Sequence, residues 1–356
     1  MTEKQLFDRV FFEKEASEKL RSYVKIWKKN ALQVIVLVDT NTQKHCAPYL
    51  YTFFDEATYV YSEIVIPTGE SAKNIETLIQ IWNFLIEIQA DRSAVLINLG
   101  GGVVSDIGGF AASCFKRGIT FINIPTTLLA MIDAAIGGKN GINFQGNKNL
   151  IGTFAQADSV LIFKSFLKTL PEEETRAAIG EILKYAFVAK PEILTVFENK
   201  NIDLQDFLSL IESCIQIKQQ IIANDFFDQG DRKVLNFGHT VGHAFEAWAL
   251  ENNKILHHGE AVAFGILISL WLSEKYCKLE STYSKWYKAV LETHFTPFQI
   301  PVYQIEIIIN WIRNDKKNTS GKFNFVLIQM PGIPKIDVAV SEDDLRDVLT
   351  RFSSYF

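Results

Sequence analysis

The tightest constraint on this fold is the way apolar, strand-like runs end on loops of small residues. Ala94–Leu99 (AVLINL) runs into Gly100, Gly101 and Gly102, and Ile119–Ile124 (ITFINI) runs into Pro125. Gln33–Val38 (QVIVLV) ends at Asp39, and the more mixed Tyr59–Ile66 ends at Pro67. Runs this apolar have no polar face to offer water, so they belong in a parallel sheet covered on both sides. Ser71–Gln89 and Gly108–Phe115 carry helical spacing and alternate with the strands. From Leu170 the texture changes. Glu172–Val188, Asp203–Ala223, Asn236–Leu250, Gly259–Tyr276 and Val302–Arg313 all read as helices, and only Lys322–Gln329 reads as a strand. Pro171 suits a helix start and a boundary. A chain of 356 residues exceeds one ordinary core. The expected architecture is an N-terminal α/β domain with a mostly parallel sheet over 1–168 and a mainly α-helical C-terminal domain over 169–356.

Composition excludes several function classes. With 48% hydrophobic and 22% charged residues, the chain has core material and no disordered bias. The first thirty residues lack the apolar centre of a signal peptide, and Ala261–Leu272 is too short to span a membrane, so it reads as a buried helix. Cys46, Cys114, Cys214 and Cys277 are far apart and form no CxxC pair, which suits reduced thiols in a cytoplasmic core. A net charge of −5 gives no reason to expect nucleic acid, and neither nucleic acid nor membrane is expected as a partner.

Four of the six histidines, His239, His243, His257 and His258, fall within Arg232–Val262. His239 and His243 are four apart and share a face on a helix that Asn236 could cap. HxxxH is a candidate ligand pair, although packed histidines on an ordinary helix would look the same. Further motifs lie upstream. Asn98–Asp106 (NLGGGVVSD) follows a strand and precedes a helix, where glycines let backbone N–H groups approach a phosphate-bearing ligand. It is not GxGxxG, so a tight turn is the alternative. Pro125, Thr126 and Thr127 follow the next strand. Asp133, Gly137, Gly138, Lys139, Lys148 and Asn149 then read as loops suited to an anionic ligand. Singly, Glu181 and Lys184 are an ordinary exposed i,i+3 pair, and Lys218 and Arg232 are surface cations. Together these residues suit nucleotide, metal and anionic substrate.

The runs GGGVVSDIGGFAAS, IPTTLLAMIDAAIGGKNGIN, KNLIGTF, GEILKYA, LNFGHTVGHAFE and HGEAV resemble the 3-dehydroquinate synthase family, in the family's order, from Asp39 to Asp315–Lys317. The resemblance implies a dehydroquinate synthase-like fold and a carbon–oxygen lyase acting on phosphate, dependent on NAD and on zinc or cobalt, in the shikimate pathway of aromatic amino acid biosynthesis. Its substrate would be a phosphorylated sugar acid, 3-deoxy-D-arabino-heptulosonate 7-phosphate, converted to 3-dehydroquinate and phosphate. The implied course is transient oxidation at C5, phosphate elimination, re-reduction and intramolecular aldol closure, in a homodimer.

Residues carry over motif by motif. Metal-ligand positions are Glu181, His239 and His258, and His243 takes substrate binding and proton transfer. NAD positions are Asp39, Asn41, Glu70, Lys73, Gly101, Gly102, Val103, Asp106, Thr126, Thr127, Lys148, Thr169 and Glu174. Substrate positions are Arg117, Asp133, Lys139, Asn149, Lys184, Lys218, Arg232, Leu235, Asn236 and one of Lys316 and Lys317. His257 receives no role. Met131 departs from a frequent glutamine and Phe226 from a frequent glutamate. Other sugar-phosphate cyclases, and the metal- and NAD-dependent polyol dehydrogenases, are the nearest rivals. Lys139, Asn149, Arg232 and Asn236 favour the synthase over the other cyclases, whereas the dehydrogenases need neither this lysine set nor the LNFGHT run. A nucleotide-binding regulatory relic is the third rival, and the intact residue set speaks against it.

Overall fold

The computed structural model describes residues 9–145, 147–199, 202, 204–313 and 323–355. The chain forms two compact units. One runs to Pro171 and includes Lys218–Ala223; the other comprises Glu172–Ile217 and the chain from Asn224 onward.

The first unit begins with β1 (Val10–Phe12) and α1 (Glu13–Lys29), whose Ala16, Leu20, Val24 and Trp27 line one buried stripe. β2 (Val34–Asp39), α2 (Thr40–His45), α3 (Ala47–Ala57), β3 (Ser62–Ile66) and α4 (Ile75–Glu87) follow. Next come β4 (Val95–Gly100), α5 (Gly102–Cys114) and β5 (Thr120–Pro125). A hairpin of β6 (Lys139–Phe144) and β7 (Asn147–Phe154) precedes β8 (Ser159–Ile162). Six strands form one sheet in the order β1-β8-β5-β4-β2-β3, and every pairing is parallel. Gly100 stands opposite Pro125 in register, so the loops after β4 and β5 leave the sheet at the same edge.

Local chemistry corrects several boundaries. Ser71–Gln89 is not one helix: a 3-10 turn, Glu70–Ala72, comes first, and Asn74 restarts the chain by accepting from Thr77 N–H at 2.8 Å. The helix expected from Gly108 begins at Gly102, taking in the last glycine of the run. Lys139, Lys148 and Asn149 lie on the β6–β7 hairpin rather than on loops. β7 is largely exposed, so no apolar alternation marked it as a strand.

The second unit contains α6 (Glu172–Val188), α7 (Leu204–Asn224, apart from Lys218–Ala223), α8 (His239–Glu251), α9 (His258–Cys277), α10 (Ser281–His294) and α11 (Ile305–Arg313). It ends with an antiparallel pair, β9 (Phe323–Met330) and β10 (Ile333–Val340), and α12 (Glu342–Tyr355). β10 is an additional strand; with Pro334, Lys335 and Asp337 it lacks a strand-like composition. α9 is buried from Gly259 to Ser273, so the apolar stretch is a core helix, and no described helix is long and apolar enough to cross a membrane. Cys46, Cys214 and Cys277 are buried, whereas Cys114 is exposed rather than in the core.

α6 and α9 cross at two glycines. A Cβ on Gly180 would lie 1.8 Å from the Gly259 carbonyl oxygen, and one on Gly259 would lie 1.5 Å from that of Ala177. Both obstacles are backbone and cannot rotate away. Gly259→Ala is therefore expected to lower stability by about 3 kcal/mol, the upper range for overpacking, read as a fall in the urea midpoint. An unchanged midpoint would contradict so close a crossing.

Candidate active site

Two groups of side chains stand out, one in each unit. In the first, the Lys73 ammonium is buried between Asp106 Oδ2 and Asn149 Oδ1, each at 2.5 Å. Burial pushes the Asp106 carboxyl above its usual range, with Lys73 opposing. Asn149, at φ +50°, donates its N–H to Asn143 Oδ1 at 2.9 Å, and Asn143 donates its side-chain amide to Glu70 at 2.8 Å. Glu70, Lys73 and Asp106, expected at the cofactor, thus form one network with Asn149, expected at the substrate. Gly101 is the N-cap of α5; a Cβ there would meet Thr127 Cγ2 at 3.1 Å, so the glycine also serves close packing of the two loops. Gly102 and Val103 open the helix, and Thr126 is buried, its N–H bonded to the Gly100 carbonyl at 3.0 Å.

Other expected cofactor positions have local duties. One Asp39 oxygen caps α2, accepting from Asn41 and Thr42 N–H at 2.8 Å. The Asn41 amide donates to Thr68 at 3.3 Å, and the Thr169 hydroxyl donates to the Phe166 carbonyl at 3.2 Å. Lys148 is exposed on β7.

Asp133 sits in a π-helical turn, Ala130–Ala134, a geometry that recurs at functional sites. Lys218, expected as a surface cation, is buried and donates to Asp133 Oδ1 at 2.6 Å and to its backbone carbonyl at 2.5 Å. Met131, in the same turn, is fully buried, which explains an apolar residue there. Gly137 and Gly138, at φ +107° and +70°, turn the chain into exposed Lys139. Arg117 is also exposed, in a left-handed conformation at φ +67°, and pairs with no other described residue.

The second group centres on Glu181, which is wholly buried with Lys184 rather than forming an exposed pair. Lys184 Nζ forms an ion pair with Glu181 Oε2. Glu181 Oε1 lies 3.2 Å from His239 Nε2 and 3.5 Å from His258 Nε2, yet neither carboxylate oxygen has an aligned hydrogen bond among the described residues. Three donor atoms facing a common point in this way suit a cation better than one another. Burial opposes ionisation of Glu181, but Lys184 and His239 outweigh it and hold the carboxyl well below its usual range. Burial lowers the His239 pKa despite Glu181, whereas for His258 burial is outweighed by Glu246 and Glu181, raising the value to about 10.

Helix ends place these rings. Asn236 does not cap α8: its amide donates to the Lys233 carbonyl at 3.1 Å, within a 3-10 turn that also holds Leu235. Gly238, at φ +80°, is the N-cap, so His239 is the first residue of its helix. His258 is likewise first in α9, and His257 caps it in a reciprocal box with Glu260. Glu260 in turn lies 3.5 Å from Arg176 of α6, and Glu174 of α6 lies 4.0 Å from His257. His239 Nδ1 faces the Phe237 carbonyl at 3.2 Å; His258 Nδ1 faces Glu246 Oε2 at 3.0 Å. His243 does not join the Glu181 donor set; it is exposed and groups with Glu246 and His258.

Arg232 is buried, again not a surface cation, and is held by a loop organised around Asp225. Asp225 accepts from the N–H groups of Gln229, Gly230 and Arg232 at 3.0, 2.7 and 3.1 Å, and Arg232 donates to the Phe226 carbonyl at 2.6 Å. Phe226 contributes backbone there, so the loss of a glutamate side chain does not touch that contact. Glu246, Glu260 and Asp225 had no assigned role in the sequence reading, although the first two lie inside the quoted motifs. Lys316 and Lys317 lie outside the described residues.

Two outcomes follow. Glu181→Gln is expected to abolish tight zinc binding in a chelator competition, while His243→Ala keeps the affinity within about tenfold; equal loss in both would remove the distinction between them. Burial acts to raise the Asp225 pKa, but its three backbone hydrogen bonds outweigh that and lower it. Its contribution to stability is therefore complete above the ordinary aspartate value of about 3.9 and is lost as pH falls through the lowered folded value. The stability gap between wild type and Asp225→Asn should shrink on acidification, as read from urea midpoints; a gap constant with pH would refute this.

The chain is similar to known proteins over most of its length. The 3-dehydroquinate synthase N-terminal profile matches residues 63–177 and the 3-dehydroquinate synthase C-terminal profile matches residues 178–318. A 3-dehydroquinate synthase of Parabacteroides distasonis is 34% identical over 329 residues, covering 91% of this chain and 92% of its own. One from Campylobacter concisus is 40% identical over 293 residues, covering 81% and 83%. Among solved structures, 2-epi-5-epi-valiolone synthase from Streptomyces hygroscopicus, with NAD+ and Zn2+ bound, superposes with a TM-score of 0.84 at 24% identity, covering 98% of this chain and 97% of that one, a likeness of fold. The chain belongs to the 3-dehydroquinate synthase family.

Proposed function

We propose that the chain converts 3-deoxy-D-arabino-heptulosonate 7-phosphate to 3-dehydroquinate and phosphate, using NAD and a divalent metal, zinc or cobalt. The observation that carries the proposal is the convergence of Glu181 Oε1, His239 Nε2 and His258 Nε2 in a chain of this family. The donor set fits the metal: one carboxylate and two imidazoles are a catalytic rather than a structural complement, leaving positions for substrate. The Gly101–Gly102 helix start, with Lys73, Asp106 and Thr126 in the same unit, suits a dinucleotide. When bound, the two groups supply Lewis-acid polarisation of a substrate hydroxyl and reversible uptake of one hydride.

The chain's own residues do the rest. Buried Lys184 balances the Glu181 charge, so the carboxylate stays ionised and oriented. Arg232, fixed by the Asp225 loop, presents a planar cation suited to a carboxylate or phosphate, and Asn236 lies in the same segment. In the first unit Lys139, Asn149, Arg117 and the Asp133–Lys218 pair add further anion- and hydroxyl-binding groups. His243, exposed beside the two ligand rings, is the group able to take up and return a proton at an imidazole nitrogen. Holding one substrate through several steps supplies much of the rate by orientation.

Incubation of the purified protein with NAD+, zinc and the heptulosonate phosphate tests the proposal. Phosphate release is expected with no net accumulation of NADH, because the hydride is returned in each turnover. Stoichiometric NADH would indicate a polyol dehydrogenase, and turnover of sedoheptulose 7-phosphate in place of this substrate would indicate another cyclase.

A further inference from the structure

We propose that Glu246 is the positioning residue that makes His258 a ligand, holding the ring proton on Nδ1 and the Nε2 lone pair toward Glu181 and His239. The inference rests on the metal reading above. A neutral imidazole carries its proton on either nitrogen and can ligate only through the other, so a metal histidine needs an acceptor at its far nitrogen. His239 obtains one from the backbone, the Phe237 carbonyl 3.2 Å from Nδ1. His258, at the start of α9, has no such local partner for Nδ1 among the contacts described. Its acceptor comes from another helix: Glu246 of α8, whose Oε2 lies 3.0 Å from Nδ1. Glu246 is only 5% exposed, so water cannot substitute readily for it.

A carboxylate does more here than a carbonyl. It accepts the same proton but also makes the ring a stronger donor through Nε2. It also corrects the local charge. Lys184 neutralises Glu181, leaving a neutral pair and two imidazoles to receive a doubly charged ion. Glu246 supplies the missing negative charge from behind His258. Its place three residues after His243 puts both on one face of α8, so a single helix carries one metal ligand, the proton-transfer histidine and the group that orients the remaining imidazole ligand.

The test compares full-length wild type, Glu246→Gln and Glu246→Ala by zinc affinity in a chromophoric-chelator competition, by the visible absorption of the Co2+-loaded protein, and by the Tm of metal-free samples. The alanine variant is expected to bind zinc roughly 10- to 100-fold more weakly, the range for loss of such an outer partner, with an altered Co2+ spectrum. Glutamine, which keeps an acceptor oxygen without the charge, should fall between alanine and wild type; if alanine fails to fold, glutamine decides. Zinc affinity within about twofold of wild type in the folded variants, with only the metal-free Tm lowered, would show a purely structural role and overturn the assignment. Wild type that binds no zinc would overturn the metal reading and this assignment with it.

Discussion

The second unit is organised by an ionised carboxylate with no access to water. A lone carboxylate in Glu181's position would shed its charge, since burial of an unpaired ion costs several kcal/mol or more. Lys184, one turn along the same helix, prevents that by pairing with Oε2. Oε1 faces the imidazoles. Removing either partner leaves an uncompensated buried charge, so the pair is fixed by mutual need. The neighbouring structure serves this arrangement. The glycine crossing of α6 and α9 brings the helices bearing Glu181 and His258 into backbone contact, and Gly238 starts α8 at His239.

The first unit solves a different problem, presenting polar groups at one edge of an apolar sheet. The register that sets Gly100 opposite Pro125 sends both loops out together. The β6–β7 hairpin then brings Asn149 to Lys73, so residues distant in sequence share one buried ammonium. Lys73 and Lys218 are both buried lysines with carboxylate partners, Asp106 and Asp133. Such pairs are modest contributors to net stability but fix geometry where a ligand must find its donors in place.

Much of this was legible in the sequence, for identifiable reasons. Strands buried on both faces leave continuous apolar runs, and AVLINL and ITFINI announced the sheet. The histidine cluster was conspicuous because the chain holds only six histidines, and the glycine run because three glycines stand together directly after a strand. What escaped had weaker signatures. The β6–β7 hairpin is too exposed to alternate, and β10 carries proline and charge. Asn236 looked like a cap because its residue type caps well, but the left-handed turn at Gly238 moved the helix start beyond it. Glu181, Lys184, Lys218 and Arg232 each resembled a solvated charge, since burial of a charged residue depends on partners from elsewhere in the chain. Motif resemblance implied their roles; only the fold shows the partners that bury them. Glu246 was hidden for the same reason, as one acid on a helix until His258 is brought beside it.

The Gly180–Gly259 crossing also bears on which ion such a site would admit. Two backbones already in contact cannot move closer, and α9, buried along most of its length, cannot slide outward without opening the core. The span between Glu181 and His258 is therefore set by main chain rather than by side-chain adjustment. A ligand span fixed in this way sorts cations by radius as well as by donor preference. Zinc and cobalt, close in size and at ease with imidazole, suit the set proposed here, whereas calcium would need both a wider opening and more oxygen ligands.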